Sequence, residues 1–415
     1  MPVAQTKTDL VVIGGGAAGL MAACAAAEAG RRVVVCERMP SPGLKLLATG
    51  GGRCNLTHTA TADEIMAAFG RRGRFMQTAL RDFDPTAIRQ FFAADSVPTV
   101  EEADGCVFPA SHKSRDILNV FQEMAKKRGV EIRGNCTVRR IIVRDGAVAG
   151  VDTNAGEIAT THVVLATGGR SYPALGSDGS GFELAAATGH TIVTPVPALV
   201  GLVTEETWLH ALTGIVLPQA RVRVALKGHD KIGKTGPLLF THRGISGPPV
   251  LDLSGEVAAL LAAGGASVPV AVSWRADRDG VAWRKLIEGW RTQFGARSLH
   301  NLLSGELPRG VAQALCNEVG LREITAAQAK REQIDLLVKQ CAEMTLHISA
   351  TEDWNRAMVT RGGVALNEVD PHTLTSRLVR GLFFAGEVLD LDGPCGGYNL
   401  TWAFASGRLA GRAAI

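Results

Sequence analysis

Apolar runs and glycines alternate at the start of the chain in the order of a strand, a helix and a second strand. Asp9 to Ile13 predicts a buried strand, Ala17 to Ala29 an alanine-rich helix that ends at Gly30, and Val33 to Cys36 another buried strand. Strands of a parallel sheet are apolar at consecutive positions because both faces are covered. These elements predict one βαβ unit.

The following stretch changes from helical to strand-like periodicity. Residues 62 to 128 predict mainly helices, and Ser114 is the predicted cap of the last one, with Asp116 in its first turn. From Val130 onward short strands alternate with turn residues, and the apolar run Val163 to Ala166 ends the stretch. We interpret these strands as a β-meander that returns to the sheet.

A second change of pattern occurs between about residues 191 and 350. Strands interrupted by Pro and Gly are predicted up to Trp274, and a mostly helical stretch follows from Val281 to Met344. Residues 381–386 then form a short buried strand, and a final helix begins at about Tyr398.

This order of elements predicts more than one domain. A chain of 415 residues exceeds the size at which single cores stop growing, about 250–300 residues. We expect a discontinuous first domain of residues 1–190 plus 351–415. A second domain, residues 191–350, is inserted into it and carries a helical subdomain at about 278–345.

Composition and charge exclude several other classes of protein. Hydrophobic residues make up 46% and charged residues 20%, which is typical of a globular enzyme, and a net charge of +4 does not by itself indicate nucleic-acid binding. The eight cysteines form no C-x-x-C pair and no cluster with histidines, so we expect a cytoplasmic protein without a metal site. Glycines interrupt the uncharged run Leu10 to Ala27, which argues against a signal peptide or a membrane span.

The clearest chemical motif lies in the first βαβ unit. Gly14, Gly16 and Gly19 have G-x-G-x-x-G spacing between a strand and a helix, as in dinucleotide-binding sites. Gly14 permits the turn, Gly16 lets the backbone approach a pyrophosphate, and Gly19 lets helix and strand pack closely. Glu37 ends the next strand, where a carboxylate accepts hydrogen bonds from a ribose and disfavours the 2′-phosphate of NADP.

Two glycine-rich segments favour FAD over NAD. Residues 46–58 contain three consecutive glycines followed by Arg53, Cys54 and Asn55, a loop able to wrap a larger cofactor. The alternative is a flexible surface loop. After the strand that ends at Ala166, Thr167-Gly168-Gly169 gives a second place where the backbone can pass close to a cofactor.

The end of the chain adds a further part of the expected site. Glu387 follows a buried strand and precedes the start of the final helix near Asn399 and Leu400. We expect Glu387 to meet a ribityl chain and the helix N–H groups to face the pyrimidine edge of a flavin. A helix N-terminus there would stabilise the negative charge of the reduced flavin.

Five segments together resemble a known family: DLVVIGGGAAGLMAA, KLLATGGGRCNLTH, LATGG, FTHRGISGPPVLDLS and GLFFAGEVLDLDGPCGGYNLTWAFASG. They are similar to the BaiN/YhiN-type FAD-dependent oxidoreductases over nearly the whole chain. The resemblance implies an α/β fold in which a glutathione-reductase-like Rossmann FAD domain is split by an inserted β-barrel domain with a helical part. The family is associated with bile-acid reduction, aminoacetone oxidation and uridine reduction in ribosomal RNA, so it does not fix a substrate.

The motifs and the resemblance together give one predicted set of cofactor-binding residues. They are Gly14, Gly16, Ala17, Ala18, Gly19, Glu37, Arg38, Lys45, Gly52, Arg53, Cys54, Asn55, Val138, Ala166, Thr167, Gly168, Gly386, Glu387, Gly397, Tyr398, Asn399 and Leu400. The sequence has no second strand–GxGxxG–helix unit, so NADH or NADPH is expected to dock transiently as electron donor. An oxidase that uses only oxygen remains an alternative to a reductase that uses NADH or NADPH.

Candidates for catalysis are fewer. The resemblance suggests that the loop holding His242 and Arg243 faces the cofactor cleft, where a histidine could exchange protons with a substrate; a histidine bonded inside a turn is the alternative. Tyr172 could donate its hydroxyl proton near the flavin or anchor its loop. Cys54 and Cys395 are expected to have packing roles.

The function we expect is NAD(P)H-driven reduction of an unsaturated or carbonyl substrate, either a small molecule or a uridine of ribosomal RNA, without a membrane or a stable protein partner. Basic residues around Trp283 and Trp290 could form a stacking surface for RNA, or these tryptophans could share the apolar face of a helix. Residues 126–128 are expected to be solvated. An amine oxidase and a non-catalytic, flavin-bound redox sensor are the further alternatives.

Overall fold

A computed structural model describes residues 8–229 and 231–414. The chain divides into two compact units, Met1–Val196 with Met358–Ile415 and Pro197–Ala357.

The helices and strands follow one another in three stretches. Up to Ala198 they are β1 (Leu10–Ile13), α1 (Ala17–Glu28), β2 (Val33–Cys36), α2 (Leu44–Ala48), β3 (Thr57–His58), α3 (Ala62–Ala68), α4 (Gln77–Asp82), α5 (Pro85–Ala94), β4 (Thr99–Glu101), β5 (Cys106–Pro109), α6 (Ser114–Lys127), β6 (Glu131–Arg133), β7 (Val138–Arg144), β8 (Ala147–Thr153), β9 (Gly156–Ala159), β10 (Val163–Leu165), α7 (Ser180–Ala187) and β11 (Ile192–Ala198). The middle stretch contains β12 (Leu202–Thr204), β13 (Val216–Val224), β14 (Lys234–Thr241), β15 (Gly244–Ser246), α8 (Pro248–Ala262), β16 (Val268–Ser273), α9 (Gly280–Gln293), α10 (Leu299–Leu303), α11 (Arg309–Glu318), α12 (Arg331–Ala342) and β17 (Met344–Thr351). The last elements are β18 (Val359–Val364), β19 (Leu382–Phe384) and α13 (Tyr398–Ala413).

A parallel sheet forms the centre of the first unit, with strand order β19-β10-β1-β2-β6. Val11 of β1 is paired with Val34 on one side and with Val163 on the other. Every residue of β1, β2, β10 and β19 is buried, as expected for strands covered on both faces. The carboxyl ends of these strands meet at one edge, where such sheets bind their ligands.

Two small residues let the first and last helices approach closely. A Cβ added at Gly407 would lie 2.3 Å from the carbonyl oxygen of Ala18, and one at Gly411 would lie 2.2 Å from that of Ala22. The backbones of α1 and α13 therefore touch along this line. The contact ties the end of the chain to the helix that follows the glycine motif.

Smaller sheets complete the first unit: β7-β8-β9, β3-β5-β4 and β11-β18. The strands β4 and β5 lie within the stretch 62–128, where mainly helices were expected. The predicted cap of α6 is wrong, because Ser114 is the first helical residue and Lys113 precedes it. The Ser114 hydroxyl instead donates a hydrogen bond to the carbonyl oxygen of Leu47, 2.8 Å away.

The second unit contains a closed barrel with strand order β12-β15-β14-β13-β16-β17. Apolar side chains from these strands and from α8 to α12 form one core, which includes Trp274 and Phe240. The expectation of strands alone up to Trp274 is wrong, since α8 lies in that stretch. Its two prolines, Pro248 and Pro249, lie in the first turn of this helix, where proline is tolerated, rather than between strands.

For Trp283 and Trp290 the structure selects the alternative of a shared apolar helix face, and for Arg128 it contradicts the expectation of a solvated residue. Trp283 and Trp290 are buried in the core, with 0% and 8% of their surface exposed, so neither indole is available for stacking on RNA. Arg128 is half-buried rather than solvated: its guanidinium donates to the Cys24 carbonyl oxygen at 2.9 Å and pairs with Glu28.

The fold class predicted from the sequence is confirmed: a Rossmann-like domain of mixed α/β structure accompanied by a closed barrel and helices. Within residues 8–229 and 231–414, none of the helices has the length and apolar character that crossing a bilayer requires.

Candidate functional site

A large cavity of about 1290 Å³, part of it open to solvent, lies in the first unit where the central strands end. Residues that directly follow four of the strands line it: Gly14 after β1, Glu37 after β2, Ala166 after β10 and Ala385 after β19. Residues from the start of α1 and of α13 line it too. A ligand in this cavity would meet two helix N-termini, each with unpaired N–H groups.

The three motif glycines have different surroundings. A Cβ at Gly14 would lie 2.6 Å from the Ala166 carbonyl oxygen, and one at Gly19 would lie 1.9 Å from that of Gly14, so both positions require close backbone packing. A Cβ at Gly16, by contrast, would have no atom within 4 Å among the described residues. The surrounding protein atoms thus leave room for a side chain at Gly16, and the glycine keeps this part of the cavity open.

Glu37 holds the glycine turn. It is 8% exposed, and its carboxylate accepts hydrogen bonds from the backbone N–H of Gly15 at 2.7 Å and of Met39 at 2.8 Å. Each oxygen thus has one backbone partner, and a carboxylate oxygen has two lone pairs. Acceptor capacity is left for hydroxyls of a bound ribose.

Glu387 lies in a polar network. Its carboxylate pairs with the Lys45 ammonium at 2.7 Å, accepts from the Thr360 N–H at 2.8 Å and accepts from the Ser171 hydroxyl at 3.2 Å. Lys45 also donates to Ser171 at 2.6 Å. Lys45 and Glu387 both line the cavity, so a ligand bound there would meet an ion pair rather than a free carboxylate.

The side chain of Asn399 fixes the turn before α13. Its Oδ1 accepts from the Gly393 N–H at 2.9 Å, and its Nδ2 donates to the carbonyl oxygens of Gly393 and Pro394. Asn399 and Leu400 lie in the first turn of α13, where backbone N–H groups have no helical acceptor, and both line the cavity. The helix start thus has a defined orientation toward the cavity.

The loop GGGRCN, residues 50–55, contacts neighbouring parts of the first unit and is not among the residues that line the cavity. The Arg53 guanidinium lies 4.2 Å from the centre of the Phe108 ring and pairs with Glu102. Burial raises the pKa of the Cys54 thiol to about 12, in keeping with a packing role. With its amide oriented to satisfy both partners, Asn55 donates to the Thr57 carbonyl oxygen and accepts from the Gly397 N–H.

The predicted cofactor-binding residues fall into two groups. Those that line the cavity are Gly14, Gly16, Ala17, Ala18, Glu37, Arg38, Lys45, Val138, Ala166, Thr167, Gly168, Glu387, Asn399 and Leu400. The others, which are not among its lining residues, are Gly19, Gly52, Arg53, Cys54, Asn55, Gly386, Gly397 and Tyr398.

Several lining residues had no signal in the sequence. Cys136, Thr137 and Ser177 belong to none of the motifs, and Cys36 was predicted only as the end of a strand. The hydroxyl of Thr167 is also notable, since it is buried without a hydrogen-bond partner among the described residues. This hydroxyl oxygen faces Gly181, since a Cβ added at Gly181 would lie 1.8 Å from it.

The catalytic candidates lie on loops. Tyr172 is half-buried in the first unit and has left-handed backbone angles, φ 56° and ψ 60°, which a residue with a side chain rarely adopts. His242 and Arg243 are exposed in the second unit, in the turn between β14 and β15.

Comparisons with known proteins agree with this architecture. The chain is 34% identical over 408 residues to a 3-dehydro-bile acid delta(4,6)-reductase of Clostridium scindens, with 97% of this chain and 98% of that protein covered. It is 29% identical over 405 residues to the ribosomal RNA dihydrouridine synthase of Escherichia coli, with 96% of each chain covered.

Solved structures show the same fold at low identity. A 3-ketosteroid delta1-dehydrogenase from Sterolibacterium denitrificans matches with a TM-score of 0.52 and 14% identity, covering 98% of this chain and 99% of that one. The E. coli quinol fumarate reductase chain FrdA matches with a TM-score of 0.51 and 18% identity, covering 98% and 70%.

The model of one family, described as HI0933-like protein Rossmann domain, matches residues 8–413. Both the family and the structural neighbours are flavoproteins, which supports FAD as the cofactor. The chain belongs to the HI0933-like Rossmann-domain family and is an FAD-dependent oxidoreductase.

Proposed function

We propose that the cavity at the strand ends holds FAD, with the adenosine end at Gly14–Gly16 and Glu37 and the flavin end at the start of α13. The open space at Gly16 carries this proposal, because a dinucleotide needs the backbone to approach its pyrophosphate there. We also propose the division of the chain into an FAD-binding domain, residues 1–190 plus 351–415, and an inserted domain, residues 191–350.

The bound cofactor would supply hydride transfer. The N–H groups at the start of α1 would bind phosphate, and the Glu37 carboxylate would accept hydrogen bonds from ribose hydroxyls. The first-turn N–H groups of Asn399 and Leu400 would stabilise negative charge on the flavin. Apolar side chains on the cavity wall, such as Leu391 and Trp402, would exclude water.

The substrate class we propose is a carbon–carbon double bond conjugated to a carbonyl group. The names of two full-length relatives, a 3-dehydro-bile acid delta(4,6)-reductase and a ribosomal RNA dihydrouridine synthase, support this class. Hydride would add to the carbon distant from the carbonyl, and a proton to the carbon next to it. We propose Tyr172 or His242 as the group that delivers this proton, and Arg243 as the group that binds the carbonyl oxygen.

The proton donor can be identified with conservative variants. Tyr172→Phe removes only the hydroxyl, and His242→Gln removes the titratable ring. Loss of general-acid catalysis costs roughly 10²–10⁴-fold in turnover. The variant that loses activity in this range, with FAD content unchanged, identifies the donor; unchanged turnover in both would exclude the two residues.

NADH or NADPH is the electron donor in our proposal, and anaerobic mixing tests it. Rapid bleaching of the flavin absorbance by either nucleotide, followed by reoxidation with a conjugated enone, is expected. Bleaching by an amine, with reoxidation by oxygen alone, would favour the oxidase alternative. If neither donor reduces the flavin, the redox-sensor alternative replaces the reductase.

Ribosomal RNA is the second candidate substrate, because two dihydrouridine synthases are 29% and 28% identical to this chain over nearly its whole length. Mass spectrometry of ribosomal RNA from a strain lacking the gene tests it. Loss of a dihydrouridine that the intact gene restores would identify RNA as the substrate, whereas unchanged RNA would leave the small-molecule enone. The free cysteines favour a cytoplasmic compartment in either case.

A further inference from the structure

The loop after β10 forms part of the cavity wall, at the end where we propose that adenosine binds. Its beginning is fixed by buried contacts. Ser171 is 0% exposed, and its hydroxyl belongs to the network of Lys45 and Glu387. The backbone N–H of Arg170 donates to the Thr360 hydroxyl at 2.7 Å. These contacts hold the loop in place as far as Ser171.

The strap, which we define as residues 172–179, continues from there toward the end of β2. A Cβ at Gly176 would lie 2.9 Å from Cγ of Met39 and 3.8 Å from Oε1 of Glu37, so the strap lies against the residues that follow β2. Residues 175–177 of the strap line the cavity, as Glu37 does. A ligand held by Glu37 would therefore meet the strap as well.

A surface ion pair fixes the far end of the strap. The Arg38 guanidinium pairs with the Asp178 carboxylate and donates to the Ser180 hydroxyl at 3.4 Å. The two charged side chains are 37% and 35% exposed, so water reaches them. Asp178 also accepts from the Ser180 N–H at 3.1 Å, at the start of α7. The strap thus begins at a buried anchor and ends at an exposed one.

The backbone of the strap turns at three left-handed positions. Tyr172, Gly176 and Gly179 have φ of 56°, 103° and 89°. Tyr172 and Gly179 are its first and last residues. Lids move about a few residues at the ends of a loop, which absorb the change in φ and ψ.

We propose that Asp178 is a positioning residue for cofactor binding: its ion pair with Arg38 holds the strap closed against the end of β2, and FAD enters and leaves when this pair opens. The inference rests on the proposed function, because it takes the cavity as the FAD site. It goes beyond that function, because Asp178 is not among the residues that line the cavity.

Such a latch has a kinetic signature. When FAD passes only through the open form, loss of the ion pair raises the open fraction of the flavin-free chain and of the loaded chain by the same factor. Association and dissociation then accelerate together, and the Kd stays nearly constant. A side chain that contacted FAD directly would act differently, because its loss would mainly raise the dissociation rate.

The variant Asp178→Asn tests the latch. Its amide oxygen keeps an acceptor for the Ser180 N–H, whereas the charge that attracts Arg38 is removed. Because exposed ion pairs are weak, we expect both rates to rise about 1.5- to 5-fold. Stopped-flow quenching of flavin fluorescence measures association. Dilution of the loaded chain into an excess of another flavin-binding apoprotein measures dissociation.

Asp82→Asn is the matched control. Asp82 pairs with Arg412 at 2.8 Å, the two side chains are 36% and 42% exposed, and neither residue lines the cavity. Its association and dissociation rates should equal those of the wild type. In an Arg38→Gln background, Asp178→Asn should have no further effect on either rate, because the pair is already broken.

Hydrogen exchange of the flavin-free chain tests the strap without the cofactor. Peptides that span residues 172–179 should exchange faster in Asp178→Asn than in the wild type, while peptides of α1 exchange equally. Unchanged exchange of the strap, unchanged FAD rates, or a faster dissociation alone with a higher Kd would each overturn the latch. A wild-type chain that binds no FAD would refute the proposed function, and faster exchange of the strap in Asp178→Asn would still show that the ion pair holds it.

Discussion

Replacing Gly16 by alanine should remove FAD binding without harming the fold. Gly16 has φ −80° and ψ −170°, an extended conformation that alanine adopts without strain, and the added Cβ would meet no described atom within 4 Å. The smaller entropy of the unfolded chain favours alanine by about 0.4–1 kcal/mol, which offsets the loss of glycine at the N-cap. We therefore expect a free energy of unfolding close to that of the wild type.

The effect on binding should be much larger. A methyl group at this position would push the pyrophosphate away from the N–H groups at the start of α1. Losing two charge-assisted hydrogen bonds of about 1.5–3 kcal/mol each would weaken FAD binding by about 10²–10⁴-fold.

Gly19→Ala is the matched control, because its Cβ would start 1.9 Å from the Gly14 carbonyl oxygen. This variant should lose about 1–3 kcal/mol of unfolding free energy or more. FAD titration by fluorescence quenching and urea unfolding of the flavin-free proteins measure both quantities. A Gly16→Ala variant that binds FAD normally, or that is destabilised as much as Gly19→Ala, would refute the reasoning.

The remaining predictions concern charge, packing and pH. Lys45→Met leaves the Glu387 carboxylate without its cation and should lower the flavin reduction potential, whereas Glu387→Gln should raise it; shifts of the same sign in a dithionite titration against a reference dye would contradict the pairing. Gly407→Ala should destabilise the chain by about 1–3 kcal/mol, because α1 leaves no room for a Cβ, while Gly289→Ala, with open space around it, should stabilise α9 by about 0.5–1 kcal/mol in urea unfolding. Burial lowers the pKa of His190, so its neutral form stabilises the fold above the unfolded pKa of about 6.5, and this contribution is lost as the pH falls toward the folded value. His190→Gln should therefore flatten the decline of unfolding free energy in acid, and identical slopes in the two proteins would exclude this role.

The helices and strands that are determined by residues close together in the sequence could be predicted from it. The strand Leu10–Ile13, the helix Ala17–Glu28 and the strand Val33–Cys36 follow from their local apolar pattern and their glycines. The helix α8 was missed because Pro248 and Pro249 suggest a break between strands, whereas they lie in the first turn of the helix, where proline is tolerated. The Ser114 cap was wrong because the helix begins at Ser114 itself, one residue after the N-cap position, and its hydroxyl donates to the Leu47 carbonyl oxygen, 67 positions away in the sequence.

The same distinction applies within the cavity. Gly14, Gly16 and Glu37 belong to one short motif whose spacing determines their contacts. The partner of Glu387, by contrast, is Lys45, 342 positions earlier in the chain, and no sequence pattern joins the two. The Glu387 carboxylate, which was expected to bind a ribityl chain, is therefore paired with Lys45.

The loop GGGRCN shows how a specific motif can affect a site indirectly. Its Asn55 amide accepts from the N–H of Gly397, the residue that precedes α13, and its Arg53 stacks on Phe108. A Cβ at Gly397 would lie 2.4 Å from the Thr57 carbonyl oxygen, so the strand β3 and the helix start are in contact. Because the first turn of α13 supplies the N–H groups that line the cavity, any change in this loop would move them. The motif thus determines where the helix begins, and the helix start determines which N–H groups a ligand meets.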